Sequence, residues 1–324
     1  MKRLISLLLC ALLIVPALAE DAPDFEPIPW DIKVSPNLPN PDCYLPNNGG
    51  YHDDSIDIQI DITYWTQDLQ QVDAPGEGTT TVMSARVKLT DVSQFRTGFA
   101  NKYPSKQARH VNDMTKRFNA VMGIDGDYCL YHEQGIVVRN GRTLRMRPHK
   151  GRDELIVDEN GDFHLITCTT QAKWDEYIAG GGTVLHAFCF GPALVVDGVP
   201  LTSLDDVTID NGKAKKAQRM VIGQIGKLEY LILTNEGPES TAPKSVGFDL
   251  VQMANLCVQF GLDNAYNLDG GSSSTIALNN QKINSPSSHK NRMVGDCIWF
   301  ATLVKEETWR EKESVQTVEV EENK

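Results

Sequence analysis

Apolar and polar residues alternate strictly in one early segment. From Ile56 to Tyr64 every second residue is apolar, which is the period of a half-buried β-strand. The segment 82–89 has similar character and follows across an acidic loop that contains glycine. We therefore predict that these two segments pair as a β-hairpin.

Two later segments have apolar residues at helical spacing. The first, Gln107 to Phe118, predicts a helix that leads into an apolar strand, Ala120 to Ile124. The second, Val246 to Phe260, predicts a helix that Gly261 is placed to end in the left-handed conformation. A strand from Ala265 to Leu268 is expected to follow at once.

The middle of the chain is punctuated by dipeptides that favour tight hairpin turns. These are Asn140-Gly141, Asn160-Gly161, Asp197-Gly198 and Asn211-Gly212. Because strands outnumber helices and do not alternate with them regularly, the predicted class is α+β. The sheets are expected to be mixed or mostly antiparallel, with a few flanking helices.

The two ends of the chain differ in composition from its middle. Lys2 and Arg3 precede an apolar run that stops at the small-residue site Ala17-Leu18-Ala19, which is the layout of a secretory signal peptide. We predict a signal peptide at 1–19, a proline-rich extended leader at 20–50 and a single domain at 51–304. The charged segment 305–324 is expected to continue past the fold as a solvated tail.

Charge and length exclude several classes of protein. The 324 residues carry a formal net charge of −12, which disfavours nucleic acid as a partner. After the predicted signal peptide no apolar run approaches the roughly 20 residues that a membrane-spanning helix needs. Six cysteines follow residue 19, and both disulfides and buried thiols are compatible with them.

The most distinctive stretch runs from Asn267 to Thr275 and reads Asn-Leu-Asp-Gly-Gly-Ser-Ser-Ser-Thr. Side chains alternate along a strand, so Asn267 and Asp269 are expected on one face, about 7 Å apart. The glycines allow the backbone to approach a ligand and to expose amide donors, and the hydroxyl residues suit sugar or phosphate. A plain glycine-serine hairpin turn is the structural alternative.

Other common catalytic motifs are missing from the sequence. It contains no GxSxG nucleophile elbow, no GxxxxGK[ST] phosphate loop and no HExxH metal motif. No cofactor is therefore expected to be required. Asp125-Gly126-Asp127 stays open as either a divalent cation site or a solvated acidic turn.

The chain resembles the phosphodiester glycosidases between about Phe118 and Phe300. Asn267 to Thr275 is similar to the family's Asn-Leu-Asp-Gly-Gly-Gly-Ser-Ser-Thr signature, with Ser272 at the third glycine. Four further segments resemble family segments in the same order, followed by an arginine after a proline-containing loop. They are Gly123 to Tyr128, Gly191-Pro192 with Val195 to Gly198, Arg219 to Gln224, and Asn235-Glu236-Gly237, with Arg292 as the arginine.

The resemblance implies hydrolysis of a sugar-1-phosphodiester. Its animal member releases N-acetylglucosamine from such a linkage, and its bacterial members are exported proteins associated with exopolysaccharide metabolism. The implied partner is thus a carbohydrate phosphodiester or an anionic polysaccharide, in a secreted or surface location. Because a phosphate monoester is a good leaving group, one carboxylate and one cation are sufficient in principle.

Site residues follow from the same comparison. Asp269 is the predicted catalytic carboxylate, with Glu236 or Asp125 as a second acid/base. Arg219 and Arg292 are expected to hold the phosphate, because guanidinium offers a charged, bidentate fork. The remaining predicted substrate contacts are Asn267, Gly270, Gly271, Ser272, Ser273 and Ser274.

A run of basic residues and two other functional classes stay open. The run comprises Arg139, Arg142, Arg145, Arg147, Lys150 and Arg152. It is either a recruitment surface for an anionic polymer or a strand with one solvated cationic face. A non-catalytic glycan-binding module and a structural surface protein remain alternatives to the enzyme.

Overall fold

The fold is known from a computed structural model, which describes residues 39–205, 215–240, 244–285 and 291–303. Three helices lie in these ranges: α1 (Val111–Phe118), α2 (Gln171–Ala179) and α3 (Leu250–Gln259). The strands of the same ranges follow in chain order. They are β1 (Tyr44–Leu45), β2 (Gly50–His52), β3 (Ile56–Trp65), β4 (Gln71–Val72), β5 (Thr80–Leu89), β6 (Phe95–Phe99), β7 (Met122–Asp125), β8 (Gly135–Arg139), β9 (Arg142–Arg147), β10 (Glu154–Val157), β11 (Phe163–Ile166), β12 (His186–Phe188), β13 (Ala193–Val196), β14 (Val199–Pro200), β15 (Arg219–Gly226), β16 (Glu229–Asn235), β17 (Asn264–Asn267), β18 (Ile276–Leu278), β19 (Gln281–Lys282) and β20 (Asp296–Phe300).

The strands form three sheets. The largest has the order β1-β2-β3-β5-β16-β15-β17-β13-β14, and β4 adds to β3 at the side. The two five-stranded sheets have the orders β11-β10-β12-β8-β9 and β19-β18-β7-β20-β6. All strand pairs within the described ranges are antiparallel. The predicted α+β class with mostly antiparallel sheets is therefore confirmed.

One apolar core joins the three sheets. Ile58 and Tyr266 of the largest sheet, Phe188 of the second, and Ile124 and Ile298 of the third are fully buried in one cluster. Alternation decides which residues enter it, because every second side chain of a strand points to the same face. The predicted hairpin at the start of the domain is confirmed, since β3 and β5 pair from Ile56↔Leu89 to Trp65↔Thr80.

Helix α3 covers the opposite face of the largest sheet. Leu250, Met253 and Cys257 pack there with Val221 and Leu233. The helix begins at Leu250 rather than Val246, because Asp249 caps it and forms a capping box with Gln252. Gly261 has φ +78 as predicted for the residue after the helix.

Helices α1 and α2 also differ from the sequence prediction. Helix α1 begins at Val111 rather than Gln107, because Arg109 pairs as an isolated β-bridge with Val294. Helix α2 was not predicted at all. Thr170 caps it through the Lys173 amide, and Trp174 is its one buried residue, so a single apolar anchor left little periodicity to detect.

Two of the predicted tight turns are two-residue hairpins. Asn140 and Gly141 (φ 51 and 75) join β8 to β9, while Asp197 and Gly198 (φ 49 and 77) join β13 to β14. Asn160-Gly161 lies in the loop between β10 and β11. Asn211-Gly212 lies outside the described residues, as do the predicted signal peptide and the charged segment 305–324.

The described part of the predicted leader is residues 39–50. It contains β1, which pairs with β2 at the edge of the largest sheet. None of the helices in the described ranges has the length and apolar character required to cross a membrane. The six described cysteines are all unbridged: Cys43, Cys129, Cys168, Cys189, Cys257 and Cys297.

Candidate active site

The ends of β7, β17 and β20 meet at one place, which we call the Asp269 site. The Asp269 amide donates to Gly126 O at 3.2 Å, and the Gly126 amide donates to Asp296 O at 3.1 Å. The Thr275 amide donates to Asp125 Oδ1 at 2.8 Å. The turn Asp125-Gly126-Asp127, which we call the DGD turn, is thus hydrogen-bonded to the loop after β17 and to the first residue of β20.

The loop after β17 is a single turn of 3₁₀-helix, Gly271–Ser273. Gly271 has φ +63, where L residues are strained, and a Cβ on Gly270 would lie 2.9 Å from Gln218 O. The alternative of a plain hairpin turn is therefore wrong. The expectation of free amides is met only in part, because Gly271, Ser273 and Ser274 donate theirs to carbonyls of the protein.

Burial and nearby positive charge have opposite effects on the pKa of Asp269. It is 9% exposed, and burial raises its pKa to about 6, while the Ser273 hydroxyl and the positive charge of Arg292 act in the opposite direction. Arg292 is exposed and lies 5.4 Å from the centroid of the Tyr128 ring. The structure therefore brings together Asp269 and one of the two predicted arginines.

Asp125 is an electrostatic neighbour of this carboxylate. It is fully buried, and its Oδ2 has no hydrogen-bond partner among the described residues. Burial, followed by the negative charge of Asp269, raises the pKa of Asp125 well above its usual range. The negative charge of Asp269 thus adds to burial in disfavouring ionisation of Asp125.

A divalent cation was one alternative for the DGD turn. The structure places the guanidinium of Arg139 there instead. Arg139 Nη2 lies 2.9 Å from Asp127 Oδ1, 3.0 Å from Asp296 Oδ2 and 3.7 Å from Cys129 Sγ. Asp127, Cys129 and Asp296 could otherwise hold a metal ion, but the guanidinium occupies the space between them. The solvated turn is equally wrong, since Asp125 and Asp127 are both fully buried.

Charge is balanced within this buried group. Burial opposes ionisation of Asp127, but Arg139 and the Cys189 amide reverse that effect and hold the pKa of Asp127 well below its usual range. Burial and then the Asp127 charge raise the pKa of Asp296. One carboxylate therefore neutralises Arg139, and the second carboxyl keeps its proton more readily.

Glu236 follows β16 on the far side of β15 from Asp269. Because β15 lies between β16 and β17 and strands are spaced about 4.8 Å apart, the two backbones are about 10 Å apart. Glu236 Oε1 accepts from the Ser285 amide at 2.8 Å. Burial raises the pKa of Glu236 to about 7, against the opposing charge of Lys282.

Arg219 is directed to the face of the largest sheet that α3 covers. Its Nε donates to Phe248 O at 3.3 Å, and its Nη2 donates to Lys215 O at 2.6 Å. The side chain is 8% exposed, and burial lowers its pKa to about 10. The predicted convergence of two arginines on Asp269 is therefore replaced by one, Arg292, because Arg219 is engaged by backbone carbonyls.

The other predicted substrate contacts fall into two sets. Gly270, Gly271 and Ser272 are partly exposed at the surface of the loop. Asn267, Ser273 and Ser274 are buried, and Asn267 Nδ2 donates to Gly191 O at 2.8 Å. Strand β17 ends at Asn267, so the alternation that would align Asn267 with Asp269 stops before it reaches Asp269.

Three residues of the site escaped the sequence interpretation. Asp296 was not named at all, and Tyr128 was named only as the end of a family-like segment; strand pairing of β7 with β18 and β20 brings their segments to the site. Gln218 carries a carbonyl that accepts from the Gly271 amide at 3.0 Å. Asp296 did leave one signal, because it is a lone acidic residue that begins the apolar run Cys297 to Ala301.

Members of the basic run serve different purposes. Arg139 and Arg152 are buried, and Arg145 donates to the carbonyls of Gly135, Cys129, His132 and Gln134. Arg142 and Arg147 are exposed at the two ends of β9. The solvated cationic face is thus limited to part of the run, since Arg139 and Arg152 are buried.

Sequence comparison assigns the chain to a family. The model of the family described as Phosphodiester glycosidase matches residues 118–301, which is more than half of the chain. The chain belongs to the phosphodiester glycosidase family. The matched range contains Asp125, Asp269, Arg292 and Asp296, and it thus includes the whole Asp269 site.

Solved structures show the same fold at low sequence identity. The catalytic domain of zebrafish N-acetylglucosamine-1-phosphodiester alpha-N-acetylglucosaminidase, auto-inhibited by its pro-peptide, has a TM-score of 0.58 at 15% identity, over 78% of this chain and 86% of that chain. A hypothetical protein from Synechocystis has a TM-score of 0.51 at 13% identity, over 76% of this chain and 62% of that chain. No curated protein sequence matches the chain significantly.

Proposed function

We propose that this phosphodiester glycosidase hydrolyses the bond between sugar C1 and the phosphate oxygen in sugar-1-phosphodiesters of surface or extracellular polysaccharide. The observation that supports the proposal is the effect of the Arg292 charge on the buried carboxyl of Asp269, beside the glycine-serine loop. Arg292 is exposed and has no ion pair within 4 Å among the described residues. It therefore retains a guanidinium for the phosphate diester.

Asp269 acts as the carboxylate of the reaction. With a pKa of about 6 it is ionised at neutral pH, so it can take a proton from water or stabilise positive charge that develops at C1. Water oxygen bonds to C1 as the C1–O bond breaks, and the phosphate monoester leaves with the bonding electrons. Because that leaving group is weakly basic, full protonation of its oxygen is not required.

Glu236 is the second acid/base in this proposal. Its pKa of about 7 is close to neutral pH, where a general acid/base must exist in both its protonated and its ionised form. It is also partly exposed, whereas Asp125 is closed off from solvent. We assign Asp125 to positioning, since its carboxyl is fully buried and accepts a hydrogen bond from the Thr275 amide.

The test uses a hexose-1-phosphate p-nitrophenyl diester in water enriched in ¹⁸O. The proposal predicts that ¹⁸O enters the free sugar at C1 and that p-nitrophenyl phosphate is the other product. Incorporation into phosphate would instead show attack at phosphorus and would overturn the glycosidase assignment. Binding without any product would favour the non-catalytic glycan-binding module.

Variants assign the carboxyl groups in the same assay. Asp269→Asn is expected to lower kcat by about 10²- to 10⁴-fold, while Asp263→Asn, an exposed residue before β17, keeps wild-type turnover. Asp125→Asn is expected to stay within a few-fold of wild type, because an amide oxygen still accepts from Thr275, and Asp125→Ala is expected to lose activity. A loss in Asp125→Asn equal to that in Asp269→Asn would place Asp125 in the chemistry instead.

Export is proposed from the sequence, since residues 1–19 have the layout of a signal peptide. N-terminal sequencing of the protein from its natural host tests this. A mature N-terminus after Ala19 in the medium or surface fraction is expected, and an intact Met1 in the cytosol would contradict it.

A further inference from the structure

We propose that a cleft beside the Asp269 site binds the anionic glycan chain that carries the scissile phosphodiester. This inference rests on the proposed function and extends it to a second subsite. The cleft has a volume of about 530 Å³ and lies between the loops at 103–106 and 129–133 and strand β9. We call it the polyanion cleft.

Positive charge is concentrated in the polyanion cleft. Its lining includes Lys106, Arg145 and Arg147 against a single acidic residue, Glu133, in a chain with a net charge of −12. An excess of positive charge in a cleft attracts an anionic polymer, whereas the acidic remainder of the surface repels it. This local sign reversal is what the basic run contributes to function.

The cationic groups have separate tasks. Arg145 makes four hydrogen bonds to backbone carbonyls, of Gly135, Cys129, His132 and Gln134, and so holds the loop at 129–134 in place. Arg147 and Lys106 are exposed and have no ion pair within 4 Å among the described residues. They are the two groups that remain available to an anionic ligand.

Aromatic rings connect the polyanion cleft to the Asp269 site. Tyr131 lines the cleft and stacks on Tyr128, with ring centroids 4.5 Å apart. Tyr128 in turn lies 5.4 Å from the Arg292 guanidinium, whose charge acts on Asp269. A glycan whose phosphate is held by Arg292 can therefore continue across these rings, because tyrosine faces offer apolar surface to sugar rings.

Tyr128 is held in an unusual backbone conformation at this connection. Its φ is +58, a region that residues with a Cβ rarely adopt. Such strain persists where the surroundings determine it and is frequent at ligand sites. The position places the ring between Arg292 and Tyr131.

The experiment compares two arginines of one strand. Arg147 lines the polyanion cleft, whereas Arg142, at the other end of β9, is exposed and does not line it. Binding of phosphomannan, a polysaccharide with sugar-1-phosphodiester groups, is measured by calorimetry to wild type, Arg147→Ala and Arg142→Ala. Neutral dextran and single-stranded DNA serve as the other probes.

We expect Arg147→Ala to weaken phosphomannan binding about tenfold, as for one lost guanidinium contact, and Arg142→Ala to leave it unchanged. Raising salt from about 50 to about 500 mM is expected to weaken wild-type binding more than that of Arg147→Ala. Turnover of the small p-nitrophenyl diester is expected to be equal in all three proteins. Tyr131→Ala is expected to weaken binding of the polymer as well.

Three results would overturn the inference: equal effects of Arg147→Ala and Arg142→Ala, equal binding of dextran and phosphomannan, or full competition by DNA. Failure of the proposed function has a different signature. In that case the small diester is not hydrolysed by any of the three proteins, while the binding difference between Arg147→Ala and Arg142→Ala persists.

Discussion

Arg139 and Asp296 form a salt bridge inside the protein, with Nη2 3.0 Å from Oδ2. The same nitrogen lies 2.9 Å from Asp127 Oδ1, and the three side chains are at most 4% exposed. The guanidinium also lies 4.4 Å from the Phe188 ring centroid. Since Gly126, next to Asp127, joins the Asp269 and Asp296 backbones by hydrogen bonds, this arginine supports the segments that position Asp269.

Replacing Arg139 by methionine is expected to destabilise the protein by about 3–5 kcal/mol, because it leaves buried carboxyl groups without their cation. The measurement is the free energy of unfolding in urea. Arg142→Met serves as the control, since Arg142 is exposed, and a change within about 0.5 kcal/mol is expected there. Equal losses in the two variants would show that the buried ion group contributes nothing.

Asp269→Asn is expected to stabilise the protein at neutral pH, although the proposed mechanism predicts that it loses activity. Burial raises the pKa of Asp269 from 3.8 to about 6, so the ionised carboxylate costs the folded state up to about 3 kcal/mol above pH 6. The cost decreases as pH falls from 6 to 3.8 and is absent below that range. Thermal unfolding of wild type and variant from pH 3.5 to 7.5 measures it; a stability difference that does not depend on pH would contradict the assignment.

The acid limb of kcat/KM is expected near pH 6, since the proposed mechanism uses the ionised form of Asp269, whose pKa is raised to about 6. Arg292 lowers the pKa of Asp269, so Arg292→Gln should move this limb to higher pH, and Arg292→Lys should restore its position. A pH profile of the small diester reaction checks both variants. An unmoved limb in Arg292→Gln, with only KM raised, would limit Arg292 to phosphate binding.

The alkaline limb is expected near pH 7, because Glu236 has a pKa of about 7 and must carry a proton to donate it. Glu236→Gln should remove this limb together with most of the rate. Lys282 lowers the pKa of Glu236, so Lys282→Met should move the limb to higher pH without removing it. If the profile of Glu236→Gln keeps its alkaline limb, another group is responsible.

Gly126→Ala is expected to destabilise the Asp269 site. A Cβ at Gly126 would lie 2.4 Å from Asp296 Oδ2, whereas a Cβ at Gly76 would meet nothing within 4 Å. We expect a cost of about 1–3 kcal/mol for Gly126→Ala from overpacking and almost none for Gly76→Ala. Denaturant unfolding of both variants decides this, and matching midpoints would show that the turn can move.

The sequence was sufficient for the class and for much of the local structure. Alternation predicted the β3 and β5 pair, and the dipeptides Asn140-Gly141 and Asp197-Gly198 predicted their hairpins, because these signals depend on a residue's own conformation and near neighbours. Helix starts were less accurate, since the Asp249 cap and the Arg109 bridge depend on hydrogen bonds that periodicity does not contain.

For the site, the sequence determined which residue types are present, and tertiary structure decided which of them meet. The stretch from Asn267 to Thr275 and its family resemblance pointed to Asp269 and Arg292, which the fold brings together. The directions of Arg219 and Arg139 came only from the fold: one is held by backbone carbonyls at α3, the other by Asp127 and Asp296 from two other segments. The physical reason is that a charged side chain is assigned its partner by strand order and burial, which are properties of the whole packed chain.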